Sequence, residues 1–220
     1  MPKVDYRLNA LVDADNLDPT RLAELARVAA ENGATLIQYR DKASPTRAMV
    51  ERARAIHAAL AGTGVPLVVN DRIDVALAAG VEGVHLGRED MVCEDARRLL
   101  GPDAIIGLTV KNDADADVAA QSSADYACIG GVFATISKTN PDAPVGLAGL
   151  SALSARIRAV RPDLPIGAIA GIDLQTAPQA ISAGADGVAV ISAIFRAADP
   201  AQATRELRNA VDLALKERGA

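Results

Sequence analysis

Short apolar runs rich in Val, Ile, Leu and Ala alternate along this chain with longer stretches whose apolar residues recur at helical spacing. Apolar runs bounded by turn formers mark buried parallel strands, and the longer stretches mark helices packed over them. The pattern predicts strands over residues 7–12, 35–39, 67–69, 83–86, 104–108, 125–130, 166–169 and 187–190. It predicts helices over 19–32, 45–61, 72–79, 93–100, 114–122, 150–160, 174–183 and 200–217. Asp18-Pro19 and Ser44-Pro45 each read as a cap followed by proline, which opens a helix where no amide donor is needed.

A small motif recurs where helix gives way to strand: Asn32-Gly33-Ala34, Ala79-Gly80-Val81-Glu82-Gly83-Val84 and Ala183-Gly184-Ala185-Asp186-Gly187-Val188. Each places glycine at a helix end, and Ser122-Ser123-Ala124-Asp125-Tyr126 is a glycine-free relative. Strand–helix units from end to end predict a parallel sheet covered by helices, and eight of them close it without edges. The expected fold is α/β, a TIM-type (β/α)8 barrel formed as one domain by residues 1–220. The connection over 132–149, with Pro141, Pro144, Gly146 and Gly149, exceeds a usual strand–helix loop and reads as a lid over the barrel mouth.

Composition then narrows the function. Half of the 220 residues are hydrophobic and only 2% are aromatic, which suits helices packed closely over β-branched strands. A net charge of −5 argues against nucleic acid or an anionic membrane as partner, so any anion site must be local. No apolar run is long enough to cross a bilayer, and the N-terminal residues lack the apolar core of a signal peptide. Cys93 and Cys128 show neither zinc spacing nor a disulfide framework, so they read as packing residues in a reduced, cytoplasmic protein.

Four polar clusters stand where apolar runs end: Gln38-Tyr39-Arg40-Asp41-Lys42, Asn70-Asp71-Arg72, Arg88-Glu89-Asp90 and Thr135-Ile136-Ser137-Lys138. Barrels of this type carry their active sites at the C-terminal ends of the strands, so topology brings the clusters together. Asp71 and Asp90 follow neighbouring strands and can share one ion. Magnesium commonly takes one or two protein carboxylates and completes its octahedron with water and substrate phosphate. Arg40, Lys42 and Lys138, with Asn70 as a neutral donor, suit an anion the size of pyrophosphate.

Plainer readings exist for each cluster. Asp71 and Asp90 can cap the helices that follow them, and Arg40 can pair with Asp41 at the surface. Ala170-Gly171-Ile172 and Ile191-Ser192 fit a second phosphate cup, to which Thr135 and Ser137 can add hydroxyls, but tight helix–sheet packing uses the same small residues. His85 can line the pocket and His57 reads as surface or packing; neither has a partner at triad spacing.

Read together, Gln38 to Lys42, Asn70-Asp71, Asp90, Thr109, Thr135 to Lys138, Gly171 and Ile191-Ser192 resemble the thiamine-phosphate synthase family over nearly the whole chain. Val69-Asn70-Asp71-Arg72-Ile73-Asp74-Val75-Ala76 and Gly83-Val84-His85-Leu86-Gly87 are part of that match. The resemblance implies a transferase that joins hydroxymethylpyrimidine pyrophosphate to a thiazole phosphate. Its products would be thiamine phosphate and pyrophosphate, with carbon dioxide also released from a carboxylated thiazole. Gln38, Tyr39, Arg40, Asp41, Lys42, Asn70, Thr109 and Lys138 would hold the pyrimidine pyrophosphate, and Asp71 and Asp90 the Mg2+ cofactor. Thr135, Ile136, Ser137, Gly171, Ile191 and Ser192 would hold the thiazole phosphate.

In that family pyrophosphate leaves first, and the thiazole nitrogen captures the resulting pyrimidinylmethyl cation. Arg40, Lys42 and Lys138 would be the catalytic cations that stabilise the departing charge. The partners implied are these small molecules, with a homo-oligomer allowed. The chain departs from the family at Gly131 and Ala134 beside Val132-Phe133, at Ala170 in a usual Gly-Gly pair, and at Tyr39. Strand 1 ends Leu11-Val12-Asp13-Ala14-Asp15, whose contacts stay open. A thiazole tautomerase would need a proton-transfer residue and no pyrophosphate clamp. A phosphosugar isomerase would need an acid–base pair, and a sensor of thiamine precursors would not need every charged group.

Overall fold

A computed structural model describes residues 4–134 and 143–219. Its elements follow one another as β1 (Leu8–Asp13), α1 (Leu22–Glu31), β2 (Leu36–Arg40), α2 (Thr46–Ala59), β3 (Leu67–Asn70), α3 (Ile73–Ala79), β4 (Gly83–Leu86) and α4 (Cys93–Leu100). The second half continues with β5 (Ile105–Val110), α5 (Asp113–Gln121), β6 (Tyr126–Ile129), α6 (Gly146–Arg158), β7 (Ile166–Ile169), α7 (Ala177–Ser182), β8 (Gly187–Val190), α8 (Ser192–Phe195) and α9 (Pro200–Arg218). The strands pair in parallel in sequence order and β1 closes on β8, giving the (β/α)8 barrel that the pattern predicts.

Every predicted strand and helix is present, and the differences are local. The Asp18 carboxylate accepts the Thr20 amide at 2.9 Å and the Thr20 hydroxyl at 2.8 Å. That turn occupies Asp18 and delays α1 to Leu22. Helix α6 starts earlier, at Gly146, while α8 is one turn long and too short to leave a periodic signal. Gly33, Gly80 and Gly184 at the helix-to-strand turns all take positive φ, as their motif suggests. No helix among the described residues is long and apolar enough to cross a membrane.

Two cores result from the strand period of two. On β1, Leu8, Ala10 and Val12 face the helices and join the outer core, whereas Asn9, Leu11 and Asp13 take the alternate positions and face the barrel interior. The inner core is smaller and centres on Tyr6 and Tyr126, whose rings lie 4.6 Å apart, with Leu11, Leu36, Val68 and Ile105 around them. Glycine makes the room for those rings. A Cβ on Gly107 would fall 1.9 Å from Tyr126 Cζ, and one on Gly167 would fall 1.9 Å from Tyr6 Cε1. Burial of each ring contributes about 1.5–3 kcal/mol, and the pair forms a floor on which the mouth of the barrel is built.

Candidate active site

Above the tyrosine floor the inward-facing ends of the strands enclose a cavity of about 140 Å³. Gln38 and Arg40 reach it from β2, Asn70 from β3, His85 from β4 and Thr109 from β5. Gly171, Ile191 and Ser192 line it from the turns after β7 and β8. Seven substrate-site residues that the family resemblance implies thus share one cavity with His85.

Tyr39 and Asp41 do not reach this cavity, and the reason is parity. Gln38 and Arg40 point inward, so the alternate residue Tyr39 points outward, where it is buried in the outer core. Its hydroxyl donates to Asp41 Oδ2 at 2.7 Å, and Arg52 Nη1 reaches the same oxygen at 2.7 Å. Burial alone would raise the Asp41 pKa. Hydrogen bonds from the Ser44 amide, Tyr39 and Arg52 outweigh it and hold the carboxyl below its ordinary value. Burial, and then Asp41, push the Tyr39 phenol up. This trio braces the loop after β2 from behind.

Arg40 pairs with Asp13 and Asp15 instead of Asp41. The β1–β2 register sets Asp13 opposite Arg40, and Arg40 Nη1 lies 2.9 Å from Asp13 Oδ2 and 2.7 Å from Asp15 Oδ2. Lys42 is half-exposed and its Nζ contacts Asp71. Neither Asp71 nor Asp90 caps a helix: α3 follows Arg72 and α4 follows Val92, without a side-chain cap on either. Asp71 instead takes a left-handed backbone, φ 63°, with its amide bonded to the His85 carbonyl at 2.8 Å. Asp tolerates that conformation better than most residues, and such strain clusters at functional sites.

Asp90 accepts the Gly87 amide at 2.7 Å, closing the turn after β4. Its pKa is raised, first by burial and then by its hydrogen bond with Asp71 and the charge there. Two carboxylates therefore face each other at the rim with Lys42 as their nearby cation. No group of three or more His, Cys, Asp or Glu side chains forms a metal cluster among the described residues. A two-carboxylate set fits magnesium, which leaves most of its octahedron to water and phosphate, and fits zinc poorly.

Beneath the rim, His85 Nε2 lies 2.9 Å from Thr109 Oγ1 and its Nδ1 lies 3.0 Å from the Tyr126 hydroxyl. The imidazole also stacks on the Tyr126 ring at 5.5 Å. The barrel floor is thereby connected to the cavity wall. His57, by contrast, meets Glu82 at 2.9 Å on the outside of the barrel.

Lys111 and Cys128 also line the cavity, and sequence reasoning gave neither a place there. Lys111 lies two residues beyond Thr109, so the strand period carried the signal. Thr135, Ile136, Ser137 and Lys138 lie outside the described residues, which omit 135–142 of the expected lid.

Comparison with known proteins adds the family. The family model described as thiamine monophosphate synthase matches residues 8–194. The chain belongs to the thiamine monophosphate synthase family. A thiamine-phosphate synthase of Agrobacterium fabrum is 65% identical over 218 residues, covering 99% of each chain. Another from Moorella thermoacetica is 45% identical, covering 86% of this chain and 87% of that one. The solved structure of a thiamine phosphate pyrophosphorylase from Pyrococcus furiosus superposes with a TM-score of 0.82 at 36% identity, covering 97% of this chain and 98% of its own.

Proposed function

We propose that this family member catalyses the thiamine-phosphate synthase reaction at the mouth of its barrel. Hydroxymethylpyrimidine pyrophosphate and a thiazole phosphate join there, with loss of pyrophosphate and, from a carboxylated thiazole, of carbon dioxide. The observation that carries this reading is that Arg40 lines a cavity with Asn70, Gly171, Ile191 and Ser192, while Lys42, Asp71 and Asp90 contact one another in the loops that follow β2, β3 and β4. A tautomerase has no use for that arrangement of charge.

Gln38, Asn70 and Thr109 hold and orient the pyrimidine, with Asn70 toward the pyrophosphate. Arg40, Lys42 and Lys138 bind the pyrophosphate and stabilise the charge that grows on it as the C–O bond breaks. Thr135, Ile136, Ser137, Gly171, Ile191 and Ser192 hold the thiazole phosphate, which places the thiazole nitrogen for attack on the pyrimidinylmethyl carbon. Fixing both reactants in one small cavity supplies proximity. Asp71 and Asp90 would hold magnesium, which when bound would supply positive charge to offset that of the leaving pyrophosphate. No general acid–base pair is required, consistent with a His85 that is committed to Tyr126 and Thr109.

The test is thiamine phosphate formation by purified protein supplied with both precursors, with magnesium or with chelator. Turnover is expected only with metal, and Asp71→Asn and Asp90→Asn are expected to abolish it. Arg40→Ala should cost ~3 kcal/mol, roughly a hundredfold in rate. Normal turnover by that variant would remove Arg40 from the catalytic role.

A further inference from the structure

We propose that Asp13 and Asp15, which hold the same nitrogen of Arg40, act in opposite directions on anion binding. Asp13 is a fixed positioning residue, and Asp15 is an exchangeable counter-ion that occupies Arg40 until a diphosphate displaces it. The inference rests on the reading of the cavity as a diphosphate site.

The two carboxylates differ in how they are held. Asp13 is 1% exposed and accepts both of its oxygens' contacts from Arg40 Nη1, at 3.0 and 2.9 Å. It also accepts the Asp15 amide at 3.0 Å and Asn16 Nδ2 at 2.9 Å. Its lone pairs are spoken for, and removing any partner would leave a buried charge under-compensated. Asp13 therefore aims the guanidinium and has no capacity left for a ligand.

Asp15 is 30% exposed. Apart from its 2.7 Å contact with Arg40, among the described residues its carboxylate takes only a long 3.5 Å approach from the Lys42 amide. Rotation of this side chain into water breaks one ion pair and strands nothing.

An arriving anion has a route that does not require Asp15 to leave first. Both described carboxylate contacts use Nη1, so Nη2 and Nε of the guanidinium fork present their donors to a first phosphate oxygen. The negative charge then sits close to the Asp15 carboxylate in a partly desolvated cleft, where like charges repel strongly. Asp15 swings out, and Nη1 is released to the same phosphate. When pyrophosphate is the product, the return of Asp15 assists its departure.

Asparagine at position 15 keeps the shape and removes the charge. Calorimetric titration of inorganic pyrophosphate, at one fixed magnesium concentration, into wild-type protein, Asp15→Asn and Asp13→Asn tests the assignment. Asp15→Asn is expected to bind pyrophosphate about tenfold more tightly, and Asp13→Asn at least tenfold more weakly. In turnover, the inhibition constant of pyrophosphate should fall with Asp15→Asn. If Asp13→Asn fails to fold by circular dichroism, Asp15→Asn alone decides.

Wild-type binding with unchanged or weaker binding by Asp15→Asn would make Asp15 a second strut and overturn this inference alone. Failure of the wild type to bind pyrophosphate would overturn the diphosphate reading and this inference with it.

Discussion

Tyr126→Phe removes one oxygen from the barrel floor and leaves the ring in place. The Tyr126 hydroxyl lies 3.0 Å from His85 Nδ1, and both residues are buried. Phenylalanine fills the same volume, so no cavity forms and the transfer term is nearly unchanged. What is lost is a hydrogen bond to an imidazole nitrogen, which then faces a ring hydrogen in place of the hydroxyl. Leaving a buried polar group unsatisfied costs about 1–3 kcal/mol. In a protein of this size that lowers Tm by roughly 2–10 °C.

Urea unfolding followed by circular dichroism should show a lower midpoint at unchanged slope, since the surface exposed on unfolding is the same. A second readout follows from the other imidazole nitrogen, 2.9 Å from Thr109 Oγ1. An unanchored His85 lets the Thr109 hydroxyl turn, so KM for the pyrimidine substrate should rise several-fold while far-ultraviolet spectra stay native. A double-mutant cycle with Thr109→Val should give a coupling on the order of 0.5–3 kcal/mol. Unchanged stability together with additive effects on KM would refute the column from Tyr126 to Thr109.

Gly171→Ala should be severe, because its φ is 65° and a Cβ would lie 2.5 Å from the Ala134 carbonyl oxygen and 2.6 Å from Phe133 Cβ. A loss of roughly 2–4 kcal/mol is expected from strain and overpacking together. Gly62→Ala, also at positive φ but with nothing within 4 Å, should cost only ~1 kcal/mol. Equal losses at the two sites by thermal unfolding would refute the contact argument.

The Asp41 carboxyl is held below its ordinary pKa, so the stability it contributes is fully present above the unfolded-state value near 3.8 and is lost as pH falls through the depressed folded-state value. Arg52→Met removes one donor and should flatten that acid limb, below pH ~4, in a plot of stability against pH. An unchanged limb would show that Arg52 does not set the Asp41 pKa.

The barrel was legible because its signals are short-range. Apolar runs, helix periods and the glycine turns each lie within a few residues, and their alternation fixes a parallel sheet. That Gln38, Arg40, Asn70 and Thr109 share one cavity was legible for the same reason, as polar residues at the ends of apolar runs. The placement of Tyr39 and Asp41 beside them took whole clusters as units. Counting in twos from Gln38 would have turned Tyr39 outward, and counting in twos from Thr109 would have brought in Lys111.

The pairing of Arg40 with Asp13 is of another kind. It joins residues 27 apart through the register of two strands, and nothing local in Leu11-Val12-Asp13 announces which β2 residue lies opposite. The same holds for His85, whose hydrogen bonds with Thr109 and Tyr126 reach to β5 and β6. Register and cross-barrel contact decide these pairs, and both are properties of the closed sheet.

The charges around the clamp also explain why a site for a polyanion can sit in an acidic protein. Arg40 and Lys42 are met by Asp13, Asp15 and Asp71, with Asp90 beside Asp71. Around these two cations, then, stand four carboxylates, so a diphosphate depends on further positive charge, from Lys111 in the cavity wall, from Lys138 and from a metal. The raised pKa of Asp90 reports the same imbalance, since burial and a second carboxylate leave it short of positive charge. On the proposed function a divalent cation held by Asp71 and Asp90 would correct it at one end of the cleft, and departure of Asp15 would correct it at the other. Such a surround would favour a diphosphate that arrives with its metal over one that arrives alone.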